Sequence, residues 1–108
     1  SNWKEKRLGM FKLVQTCSAS PEQYDVYLKD DPTEMVGYLR LRHGYFRAEH
    51  MGQTVYESPT KGDGIFDSDE RPYHLNQACL AIKDAMSGFP DLYEIEGTSE
   101  EDWYDCNY

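Results

Sequence analysis

The chain has no apolar run approaching the roughly 18 to 20 residues that span a bilayer, and no apolar segment follows the charges of Ser1-Asn-Trp-Lys-Glu-Lys-Arg7. A membrane span and a signal peptide are therefore not predicted, and a cytoplasmic protein is. Cysteine is scarce: Cys17, Cys79 and Cys106 are odd in number and widely spaced. Neither a disulfide framework nor a zinc knuckle fits that spacing, so reduced thiols are expected. Basic residues are also few, with 11 Lys and Arg against 20 Asp and Glu and a net charge of −9. A protein that coats nucleic acid or anionic membrane by bulk attraction is excluded on that ground.

Catalytic signatures are missing too. His43, His50 and His74 share no metal spacing. Lys61-Gly-Asp-Gly64 lacks the spacing and the Lys-Ser/Thr ending of a phosphate loop. Asp63, Asp67, Asp69 and Glu70 lack the alternation, central glycine and distant glutamate of an EF-hand loop, and helix capping accounts for them better. Cys17 and Cys79 read as small buried apolar residues with no histidine placed beside them. The sequence thus predicts a non-enzymatic chain with no cofactor.

What is present is enough apolar and aromatic material, 39% and 14% of 108 residues, for one domain. Residues 1–9 are expected outside the fold, with Ser1 and Asn2 resembling the remnant of a cleaved tag. From Phe11 to Tyr56 the hydrophobic period is two. Strands are predicted at 11–17, 23–29, 35–42, 45–50 and 53–57, with Asp30–Glu34 as a turn. His43-Gly44 and Met51-Gly52 have the chemistry of two-residue hairpin turns. After a flexible loop at Thr60–Gly64, the period becomes helical. Ser68 or Asp69 is the candidate N-cap, and Leu75, Ala78, Cys79, Ile82, Ala85 and Met86 form one stripe that ends at Gly88 and Pro90. Leu92–Glu96 is a candidate edge strand. The predicted fold is α+β, an antiparallel β-meander of about five strands covered on one face by a single C-terminal amphipathic helix. The domain spans 10–96, and an acidic, aromatic tail occupies 97–108.

Two-residue loops at both hairpins pair Arg40 with Arg47, Arg42 with Tyr45 and Tyr38 with Glu49, and then Arg47 with Tyr56. Leu39, Leu41, Phe46, Ala48 and Val55 then share a face for the helix to bury. Tyr38, Arg40, Arg42, Tyr45, Arg47 and Tyr56 share the other, beside Glu49 and Thr54. Arginine recognises carboxylate or phosphate through a planar fork and stacks on aromatic rings, so this face is the candidate binding surface. The alternative is cross-strand packing alone. Because Arg40 opposes Arg47, an anion or a carboxylate is expected between them.

Charge is segregated along the chain. Residues 1–58 carry eight bases and eight acids, whereas residues 59–108 carry three and twelve. Trp103 and Tyr104 interrupt the acids of the tail and complete the candidate binding residues. The predicted partner is a protein, a basic one where it meets the acidic segment, and self-association through the tail is a further reading. The alternative is an acidic nucleic-acid mimic that inhibits a host nucleic-acid-binding protein. The bland alternative for the tail is a solvated segment that keeps the chain soluble.

The stretch Val36-Gly-Tyr-Leu-Arg-Leu-Arg-His-Gly-Tyr-Phe-Arg47, with Val55-Tyr56 and Lys61-Gly-Asp-Gly-Ile-Phe-Asp67, resembles small uncharacterised proteins of phages and other mobile elements. The resemblance covers about residues 36–82 and implies a mobile-element origin without an activity. In topology, three antiparallel strands and a covering helix also resemble the arm-binding domain of tyrosine recombinases, whose sheet enters the DNA major groove. That resemblance places Arg40, Arg42 and Arg47 at DNA. Such domains are usually basic and this chain is acidic, so nucleic acid ranks below protein as a partner.

Overall fold

The computed structural model describes residues 4–17 and 20–87. Six strands form one antiparallel sheet in chain order: β1 (Lys4–Leu8), β2 (Phe11–Gln15), β3 (Glu22–Leu28), β4 (Asp31–Arg42), β5 (Tyr45–His50) and β6 (Gln53–Pro59). One helix, α1 (Arg71–Ser87), lies against β4, β5 and β6. The α+β meander with a single covering helix is as the hydrophobic periods predict. The candidate strand at 92–96 and the tail at 97–108 lie outside the described residues.

The meander has one more strand than the sequence predicts. Residues 4–8 belong to the sheet, which corrects their placement outside the fold. Lys6 pairs with Leu13 and Leu8 with Phe11, and Leu8 is fully buried. Charges at Lys4, Glu5, Lys6 and Arg7 hide this strand from a hydrophobic count, since Leu8 is its only apolar core residue. The predicted turn at Asp30–Glu34 is also corrected. Leu28 pairs with Asp31 across Lys29-Asp30, and the register shifts twice before Val26 meets Gly37. Pro32 is tolerated there because an irregular strand end does not demand its missing N–H.

Both predicted hairpin turns form, with His43, Gly44, Met51 and Gly52 all at positive φ, as a two-residue turn matched to strand twist requires. The β4–β5 register agrees pair by pair, from Tyr38 opposite Glu49 to Arg42 opposite Tyr45. The β5–β6 register does not. Glu49 faces Thr54, but a bulge follows, so Ala48 faces Tyr56 and Arg47 faces Glu57. Beyond a bulge every side chain changes face.

The core lies between sheet and helix. Leu13, Tyr24, Val26, Leu39, Leu41, Phe46 and Ala48 from the strands meet Leu75, Ala78, Cys79 and Ile82 from α1. The stripe runs out in the last turn, where Ala85 and Met86 are exposed, which corrects the predicted six-residue stripe. A Cβ added to Gly37 would stand 2.6 Å from the Ile82 Cδ1 atom, so the glycine is what lets α1 approach β4.

Candidate functional site

Residues paired across adjacent strands share a face, so the register defines the uncovered side of the sheet. One row holds Gln23, Arg40, Arg47 and Glu57, and the next holds Arg42, Tyr45 and Pro59. On the other side of the first row lie Glu5, Val14, Asp25, Tyr38, Glu49 and Thr54. Of the predicted binding residues, the structure brings Tyr38, Arg40, Arg42, Tyr45 and Arg47 together here. Trp103 and Tyr104 lie outside the described residues.

Tyr56 does not belong to this face. The bulge turns it inward, where its ring meets Phe46 edge-on at 5.9 Å and its hydroxyl is 3.0 Å from His74 Nδ1. Burial pushes its phenol above the ordinary value. The same slip places Glu57 opposite Arg47, so one bulge exchanges an Arg–Tyr pair for an Arg–Glu pair and adds an aromatic to the core.

The open face is therefore mixed rather than simply basic. Arg47 Nε is 3.2 Å from Glu49 Oε2, and both side chains are partly exposed. The Tyr45 hydroxyl donates to Glu57 Oε1 at 2.8 Å, and this bond holds the Tyr45 phenol above its usual range. Asp25 sits between Val14 and Tyr38 in the register, and burial raises its carboxyl. The Tyr38 hydroxyl donates to Gln23 Oε1. Arg47 has a carboxylate of the chain itself beside it, Glu49, but among the described residues no ion pair places a carboxylate between Arg40 and Arg47 as predicted. Among the described residues, neither Arg40 nor Arg42 has an ion-pair partner. Arg42 is exposed at the end of β4, Arg40 is half-buried, and Tyr45 is 43% exposed beside them. These two arginines and this ring sit at the β4–β5 hairpin.

A second polar constellation lies at the same end of the sheet, on the covered side. Glu22 occupies a core position of β3 with only 2% exposure. Its carboxylate accepts from Arg71 Nε at 2.8 Å, from Arg71 Nη2 at 3.2 Å, from the Phe66 backbone at 3.0 Å and from the Tyr24 hydroxyl. Glu70 accepts the backbone N–H groups of Lys61, Gly62 and Asp67 at 2.9, 2.8 and 3.0 Å. Burial alone would raise the Glu70 carboxyl, but these three donors outweigh it and hold it below the usual range. The loop predicted as flexible is thus fastened from inside. Its outer margin is tied to the sheet by Glu22 N donating to Gly64 O and Gly44 N donating to Asp63 O.

The predicted N-cap is displaced for the same reason. Asp67 O accepts from Glu70 N and Arg71 N, both at 3.1 Å, while the Glu70 carboxylate returns to Asp67 N. Glu70 thus closes the return half of a capping box onto Asp67, whose backbone carbonyl takes the first-turn N–H groups, so Asp67 rather than Ser68 or Asp69 stands at the cap. Asp69 instead pairs with Lys61 at the surface, 2.6 Å away. His74 lies 6% exposed against Phe66, with ring centroids 5.4 Å apart and stacked. Burial lowers its pKa against the opposing pull of Glu70.

The sequence reading passes over Glu22 and Arg71 entirely. Glu22 carries a signal all the same, since it shares the core parity of Tyr24 and Val26. Cys79 is fully buried, which drives its thiol far above the ordinary value, and Cys17 is half-buried. Among the described residues, no three His, Cys, Asp or Glu side chains gather where a metal ion would bind, and no helix is long and apolar enough to cross a membrane. Compared with protein-family models, with curated proteins and with solved structures, the chain finds no match.

Proposed function

We propose that this chain is a small non-enzymatic binding domain, encoded by a mobile element, whose uncovered sheet face engages carboxylate groups on a partner protein. The observation that carries the reading is that Arg40 and Arg42, on a face the helix leaves open, have no ion-pair partner among the described residues. A guanidinium fork suits a local carboxylate, and Tyr45 and Tyr38 offer rigid contact area beside it. The acids Asp25, Glu49 and Glu57 on the same face favour a protein surface of mixed charge over a continuous line of phosphates. DNA binding by this sheet is the weaker reading for that reason. Nucleic-acid mimicry is weaker for the described acids, because Glu70 is buried within the chain and Asp69 is paired with Lys61.

The test is capture of host proteins by the wild-type chain and by Arg40→Ala/Arg42→Ala at matched concentration. A charge-assisted bond contributes about 1.5 to 3 kcal/mol, so the double variant is expected to lose a wild-type partner at least tenfold. Equal capture of every partner by both chains overturns the reading.

A further inference from the structure

The chain itself contains a segment with the chemistry this face would recognise. Residues 88–108 hold seven acids and no Lys or Arg, and Glu100-Glu-Asp-Trp-Tyr104 joins three carboxylates to two aromatic rings. We infer that residues 97–108 dock on the open face of the same molecule, placing Glu100–Asp102 at Arg40 and Arg42 and Trp103 or Tyr104 beside Tyr45. The inference rests on the reading of that face as a carboxylate-binding surface.

Charge and reach both support this occupant. The helix starts where Arg71 meets Glu22, at the end of the sheet that carries the β4–β5 hairpin, and by Ile82 it has climbed to Gly37. It therefore finishes towards the opposite end of the sheet, on the covered side. Passing around the β6 edge and returning along the open face to Arg40 is a path on the order of 40 Å, or about twelve extended residues at roughly 3.3 Å each. Twelve residues beyond Ser87 is Ser99, directly before the acidic cluster. The described fold is 33 Å in its longest dimension, so the remaining chain is not a limit.

An intramolecular segment has a high effective concentration, so it occupies the face without a large intrinsic affinity. Guanidinium stacked on Trp103 adds a contact that simple charge neutralisation lacks. Any partner that uses Arg40 and Arg42 then competes with the tail, and removing the tail strengthens that partner's binding.

The test uses the full chain with Trp3→Phe, which leaves Trp103 as the sole tryptophan. Acrylamide quenching of Trp103 is compared with that in the same chain carrying Arg40→Glu/Arg42→Glu, with circular dichroism confirming that both are folded. At least twofold weaker quenching in the parent chain is expected, and 1 M salt should remove most of the difference because the contact is partly exposed. Quenching equal in both chains, and equal to that of a free peptide of residues 97–108, overturns the inference. Protection that rises with protein concentration also overturns it, since the occupant is then a second copy. A second readout avoids the arginine changes: deleting residues 97–108 should move the backbone amide resonances of Tyr38, Arg40 and Tyr45 and leave those of Leu13 and Leu75 in place. Unmoved open-face resonances overturn the inference. Capture of a partner through Arg40 and Arg42 stands or falls separately, because it is read without Trp103.

Discussion

Two polar clusters lie at the same end of this sheet, one on each side, and they are built on opposite terms. On the covered side Glu22 and Glu70 are removed from water, Arg71 is half-buried, and their groups answer one another or the backbone. On the open side Arg42 is exposed and Arg40 half-buried, and neither has an ion-pair partner among the described residues. The first arrangement fixes a loop and a helix start. The second leaves recognition chemistry that the described residues do not use, and that contrast is the reason for assigning binding to one side and stability to the other.

Glu22→Ala attacks the buried side most directly. It strips the Arg71 guanidinium of two bonds and the Phe66 N–H of its acceptor, so a loss of about 3 kcal/mol is expected, measured by urea denaturation. Glu70→Ala follows, at about 2 kcal/mol, because three backbone donors, all in the 60–67 loop, lose their acceptor together. Its additional signature is faster amide exchange at Lys61 and Gly62. If either substitution proves neutral, the covered cluster is not what holds the loop.

Acid should act on the same side. The unfolded chain protonates His74 near its ordinary value of 6.5, but burial keeps the folded imidazole neutral to lower pH. Protons are then bound preferentially by the unfolded state, and stability declines as pH falls below about 6.5. Glu70 works in the same sense lower down: its stabilisation is complete above its ordinary 4.5 and is lost as pH falls through its depressed folded value. A melting temperature recorded from pH 7.5 down to about 2.5 should therefore decline in two stages, and His74→Phe should flatten the first. Smallest is the expected effect of Arg42→Ala on stability, within about 0.5 kcal/mol, since the side chain is exposed and has no described ion-pair partner.

The fold was legible where alternation and turn chemistry agree. The pairing of β4 with β5 and the core stripe from Leu75 to Ile82 follow from spacing alone. The β5–β6 bulge was not legible, because no glycine or proline marks it. Its cause is tertiary: Tyr56 gains Phe46 and His74 only after α1 is in place. β1 escaped notice for a related reason, as Lys6 at a core-side position reads as surface. Five of the six open-face candidates within the described residues were placed correctly, and Tyr56 failed with the bulge. Glu22 and Arg71 stand 49 residues apart, and no local pattern joins a carboxylate to a guanidinium at that separation.

The contrast between the two sides is tested most directly by the affinity of a captured partner for Arg40→Ala/Arg42→Ala relative to wild type, with both melting temperatures recorded. A loss of at least tenfold in affinity at an unchanged melting temperature is predicted. Unchanged affinity, or a loss that merely tracks unfolding, would contradict the assignment of binding to the open face.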